Sequence, residues 1–331
     1  MKNLAKIIAA GMMLSFGALE VTAQVDPHFS QYYANPLWLN PALTGVINGD
    51  YRLSLNAKQQ WGAVSNSYLT VGASYDKAPV KNFAYGVMVI DQKAGDINYN
   101  YLNAVLSGSY RIRFGAGGLK MVNFGIQGGI LNKSFDPSKI TTGSQFDPVN
   151  GYNGSMALNE TFGSSNTLVP DVNAGAMFFD GDPDKNANTF FGLSAAHLTR
   201  PLDKFMGANV KMPIRFTGHG GVRMRMSQTL DITPNAIYMK QGNAREIAAG
   251  AYAQLMIDYD SDILFGANYR VDDSAIAFFG MHLRNVVFGL SYDFNTSSLN
   301  RATGSRGGLE LSVSFTGLKG LLGPNFFCPR L

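Results

Sequence analysis

After residue 24 the chain contains no run of ~18 apolar residues, so no helix in it is built to span a bilayer. It has one cysteine in 331 residues, which excludes an internal disulfide. An exported domain of this length does without one, because it can bury a core or sit in lipid. Charged residues make up 15%, well below the usual quarter. The formal charge of +4 is small and no Lys/Arg block concentrates it, which argues against nucleic-acid binding. The four histidines, His28, His197, His219 and His282, show no i, i+4 spacing and no cysteine supplements them. They read as interface or lumen residues rather than metal ligands. There is no G-x-S-x-G elbow. Gly220-Gly221 and Gly307-Gly308 precede no helix, so they are strand glycines and not phosphate loops. Nothing here marks an enzyme or calls for a cofactor.

What is present points to export and to strands. Lys2 and Lys6, an apolar stretch from Ile7 to Leu19, and small residues at Val21-Thr22-Ala23 form a secretory signal peptide over 1–23, with Gln24 as the expected mature start. Glycine is abundant (37 residues) and aromatics reach 12%. Period-2 alternation recurs. Leu69, Val71, Ala73 and Tyr75 oppose Thr70, Gly72, Ser74 and Asp76. Phe265, Ala267 and Tyr269 oppose Gly266, Asn268 and Arg270, and Phe288, Leu290, Tyr292 and Phe294 oppose Gly289, Ser291 and Asp293. Such segments are strands with one lipid-like face and one lumen face of small and polar residues. About fourteen are expected, an even number, which predicts an all-β fold: an antiparallel transmembrane β-barrel of the outer membrane over 51–316. The long connections, near 134–169, 198–212 and 295–306, all fall between odd and even strands. They therefore share one end of the barrel, the outside. Both termini are then expected in the periplasm, with an ordered segment over 24–50 and a tail over 317–331 lying outside the wall.

Two acidic turns and one cysteine are candidate sites. Asp180, Asp182 and Asp184 alternate oxygen ligands as a calcium loop does, but without the distal bidentate Glu. The same residue types make a tight turn, which is the preferred reading. Asp258-Tyr-Asp260-Ser-Asp262 reads likewise. Cys328 is a free thiol in the tail or a link to another chain.

The opening of the mature chain is the most specific text. Asp26-Pro27-His28-Phe29-Ser30-Gln31-Tyr32 leads to Asn35-Pro36-Leu37 and Asn40-Pro41-Ala42 and closes at Gly45. Each proline fixes its own φ and keeps the preceding Asn extended. The aromatics Phe29, Tyr32, Tyr33 and Trp38 are too many for a solvated linker. The segment should be packed, either plugging the lumen or lying against a partner.

This opening resembles the start of the PorP/SprF family, outer-membrane proteins of type IX secretion and gliding machinery in Bacteroidetes. Gln60-Trp61, Asp171-Val-Asn173-Ala-Gly175, Ser194-Ala-Ala-His197-Leu198, Phe265-Gly266-Ala-Asn-Tyr269-Arg270, Gly289-Leu-Ser-Tyr292-Asp293 and Cys328-Pro329-Arg330 follow in the family's order. Two departures stand out. The late Gly-Ser-His-Glu block is Gly307-Gly308-Leu309-Glu310, and an aromatic is replaced by Leu290. The resemblance implies a non-enzymatic barrel that supports secretion or surface attachment of adhesins and other sorting-domain clients and docks periplasmic components. It makes Phe29, Gln31, Tyr32, Asn35, Pro36, Trp38, Asn40, Pro41 and Cys328 the candidate partner-binding residues. A small-molecule outer-membrane channel is the alternative.

Overall fold

The computed structural model describes residues 26–317, except 61, 63–66, 79–81, 148, 157–163, 206–208 and 299. The expected signal peptide, Cys328 and the tail beyond Gly317 lie outside the described residues. Fourteen strands form the wall: β1 (Tyr51–Gln60), β2 (Tyr68–Lys77), β3 (Phe83–Ala94), β4 (Tyr99–Phe114), β5 (Lys120–Ser134), β6 (Asn166–Asp180), β7 (Ala187–Ala196), β8 (Arg215–Arg225), β9 (Leu230–Gln241), β10 (Ala244–Asp258), β11 (Ser261–Arg270), β12 (Ser274–Leu283), β13 (Val286–Asn295) and β14 (Arg306–Gly317). Each pairs antiparallel with its neighbours, and β14 returns to β1 with Gly317 opposite Tyr51. Closure leaves no edge, so the wall's backbone groups can pair between neighbouring strands instead of facing lipid. Among the described residues no helix is long and apolar enough to cross a membrane.

The alternation read from sequence shows as alternating burial in strands such as β1 and β3 and is weaker in β8 and at the end of β10. The outer face is apolar and bare, with Leu106 70%, Leu193 65% and Ile126 61% exposed in the isolated chain. Strand β6 starts four residues earlier than Pro170, where the sequence suggested it, and carries that proline opposite Ile130. The long connections share one end, as expected. They also lean on each other: Phe205, from the β7–β8 connection, packs edge-on against Phe135 and Tyr99, and Lys133 pairs with Asp203 at 2.7 Å. Loop β5–β6 carries a small ribbon, Phe146–Asp147 with Gly151–Tyr152, which holds Phe146, Val149 and Tyr152 out to solvent.

Two expectations need correction. The opening segment takes the plugging alternative and is neither periplasmic nor outside the wall. Its first described residue, Asp26, lies at the long-loop end beside His197 and Gln241, and only Gly45 reaches the short-turn end. Residues 26–47 thread the barrel interior, almost all of them buried. Nor is the lumen face only small and polar. The main apolar cluster joins Phe29, Tyr32, Leu37, Trp38, Leu39 and Leu43 to wall side chains including Met88, Ile90, Met121, Met177 and Ile237. The barrel therefore encloses an apolar core that plug and wall build jointly.

Candidate functional site: the plug and its latch

The Asn-Pro pairs build the plug. Pro36 opens a one-turn helix, Pro36–Leu39, and Pro41 opens a 3-10 turn, Pro41–Leu43. Asn40 stays extended, and its Oδ1 accepts the backbone N–H of Ala42 at 2.9 Å. Its amide nitrogen donates to the carbonyls of Ala176 and Leu193 on the wall and lies 3.2 Å from Nε2 of His219. These turns fold twenty-odd residues into the height of the barrel.

The plug is gripped at three levels. At the short-turn end, Gly45 turns with φ +72, a conformation that glycine adopts freely. Its N–H donates to Asp76 at 2.7 Å and its carbonyl accepts from Arg111. Arg52, paired with Asp76 at 2.9 Å, also reaches the carbonyls of Leu43 and Val46. At mid-height, Glu310 accepts the backbone N–H groups of Ser30 and Gln31. The Ser30 hydroxyl meets Asp293, Lys58 and Arg270 within 3.0 Å. Lys58 is fully buried, and a buried ammonium holds its charge only with such partners.

At the long-loop end one carboxylate takes four wall groups. Asp26 accepts from His197 Nε2 at 2.6 Å, Arg215 at 2.9 Å, and Gln241 and Tyr101 at 3.3 Å each. The other ring nitrogen of His197 meets Asp171 at 2.8 Å. His197 sits in the turn after β7. Burial alone would push its pKa down, but the Asp26 and Asp171 carboxylates outweigh that and push it up to about 9. Burial would raise Asp26, yet His197 and Arg215 hold it well below the usual carboxylate range.

The sign of the pH dependence follows. The stability that charged His197 adds is fully present below its ordinary pKa of 6.5 and is lost as pH rises through about 9. The Asp26 contribution is present above 3.8 and is lost as pH falls further. Quenching of Trp38, in a Trp61→Phe background, is expected to increase as pH is raised from about 7 to about 10, with that step absent in His197→Gln. An identical step in the variant would assign the release to other groups.

The candidate partner residues of the opening segment all face the wall of their own barrel. Phe29 stacks edge-on against Trp38 at 5.3 Å, and Arg215 covers the Trp38 ring at 4.9 Å. Gln31 bonds Ser291, Ser312 and the carbonyl of Glu310. The Tyr32 hydroxyl donates to Asn235. Asn35, Pro36, Asn40 and Pro41 are buried beside them. The scattered sequence blocks converge on the same surface: Gln60 lies by His28, while Asp171, Asn173, His197, Arg270, Ser291 and Asp293 all serve the plug or its latch. Leu309 stands where the family block has histidine and faces outward, 43% exposed, so that position has no lumen role. Sequence reading missed Lys58, Glu310, Arg52 and Arg111. The available signal was a charge within a strand at lumen parity.

The acidic turn is a turn. Asp180 accepts the N–H of Asp182, Asp182 accepts that of Asp184, and Lys185 pairs with Asp180. In the second turn Asp258 accepts the N–H of Asp260, and Asp262 serves Gln254 and His282. Among the described residues no three His, Cys, Asp or Glu side chains are grouped to hold a metal ion.

A closed antiparallel wall with an apolar outer belt, long loops at one end and a folded plug inside is an integral β-barrel of the outer membrane. The chain belongs to the PorP/SprF family, described as type IX secretion system membrane protein PorP/SprF, whose profile matches residues 21–315. The fold is similar to the toluene transporter TbuX of Ralstonia pickettii, with 9% identity, a TM-score of 0.51, and coverage of 85% of this chain and 92% of that one. The P. putida toluene transporter TodX is similar at 9% identity, a TM-score of 0.46, and coverage of 86% and 95%. At such identities the likeness concerns the barrel alone. No curated protein sequence matches the chain.

Proposed function

We propose that this type IX secretion barrel works as a closed, non-enzymatic scaffold that supports delivery or surface attachment of specific proteins such as adhesins and docks periplasmic components. The observation that carries this reading is the plug: residues 26–47 fill the lumen and form a common core with its wall. Working surface is then left at the two rims. At the outer rim the ribbon of loop β5–β6 offers Phe146, Val149 and Tyr152 to a client, and loops are where such contacts concentrate. Deleting the gene is expected to remove one large adhesin, or the secreted set as a whole, from the cell surface, as read by surface proteomics. An unchanged surface proteome with normal spreading would overturn the proposal.

The channel reading makes the opposite prediction in planar bilayers. Steady conductance by the wild-type protein would favour it, whereas the scaffold reading expects a silent barrel.

A further inference from the structure

On the outer face of the wall, at its long-loop end, Lys240 of β9 and Arg245 of β10 stand directly opposite each other. Both are exposed, and among the described residues neither enters an ion pair. Like charges placed directly across two strands repel, so the pair is unfavourable by itself. Lys93, another exposed cation toward this end of the wall, has Asp91 at 4.0 Å, and Arg306 opens β14 without a cation across from it, its partner there being Phe294. Just below the pair on the same face the belt is apolar and aromatic: Phe216, Tyr238, Ile247 and Tyr269 are all exposed. Phe216 is the cross-strand neighbour of Lys240 on its other side. The pair therefore sits where hydrocarbon gives way to headgroups in the leaflet that faces outward. Charge on a barrel's outer face costs little there, and aromatic girdles mark that boundary.

We propose that Lys240 and Arg245 bind the phosphate of a phosphorylated glycolipid in the outer leaflet. A phosphate between them turns the repulsion into two charge-assisted contacts, with the Arg245 guanidinium offering a bidentate fork and the Lys240 ammonium a point charge. The aromatic side chains below would pack against the lipid's acyl chains. The inference rests on the outer-membrane location and does not depend on the client or docking role.

The test compares full-length wild type with Lys240→Gln/Arg245→Gln, by heat stability and by lipid titration in detergent. Without lipid the double variant is expected to be at least as stable as wild type, because the repulsion is gone. With purified lipopolysaccharide the wild type should gain several degrees and bind at least about tenfold more tightly than the variant. Dephosphorylated glycolipid and inorganic phosphate alone should give wild type no such gain. Equal gains in both proteins, or equal gains with dephosphorylated glycolipid, would overturn the proposal. A gain from inorganic phosphate alone would replace the lipid by a free anion. If the double variant fails to fold, co-purified phosphoglycolipid measured by native mass spectrometry of wild type decides, and its absence sinks the idea.

Discussion

Replacing Asp26 with Ala is expected to unlatch the plug and turn a silent barrel into one that opens in bursts across a planar bilayer. The substitution leaves His197 and Arg215, both charged and nearly buried, without the carboxylate they share. Stranding one side of a buried ion pair costs on the order of 3–5 kcal/mol. His197 keeps Asp171 as a partner, which places the cost toward the lower end of that range. The wall should survive, because Asp26 takes part in none of its strand pairings. Increased quenching of Trp38 should accompany the openings, since the Arg215 that covers that ring is itself held by Asp26. Silent traces with unchanged Trp38 quenching would show that the latch does not hold the plug.

Gly125→Leu should have a larger structural effect. Gly125 lies in mid-β5, paired with Ser109 on β4 and Gly175 on β6. A Cβ at this position would meet the Pro41 carbonyl group at 2.2–2.3 Å and the Ala42 nitrogen at 2.4 Å. The obstacle is plug backbone, which cannot rotate away as a side chain would. The plug must shift, and overpacking against backbone of this kind is expected to cost about 3 kcal/mol or more. Gly128→Leu is the control: nothing lies within 4 Å of its Cβ, which faces the lipid side. The barrel with Leu at 125 should melt earlier and conduct, while the one with Leu at 128 should behave as wild type. Equal behaviour of the two would mean that the plug is not seated against β5.

The wall was readable in the chain because its physics is local. A strand in lipid must alternate, and a closed barrel must put its long connections at one end. Hence Leu69 to Tyr75 and Val286 to Phe294 declared their outer faces without any tertiary information. The candidate site was only half readable. The Asn-Pro segment announced packing through its aromatics, but its contacts are non-local: Ser30 meets Glu310, and Asp26 meets Gln241. The lumen methionines were hidden for a related reason. Where both faces of a strand are covered, alternation fades, as in Val87-Met88-Val89-Ile90, and an apolar run says nothing about what covers each side.

The sequence by itself pointed to an exported chain, a barrel of about fourteen strands and a resemblance to a secretion family. Those follow from local periodicity, connection lengths and ordered motifs. Only the tertiary structure decided that the opening segment runs up the lumen, with Asp26 at the long-loop end and Gly45 at the other. That outcome depends on which of the buried charges and apolar side chains from a dozen strands end up facing one another. Closure of the wall brings them together, and no period along the chain encodes it.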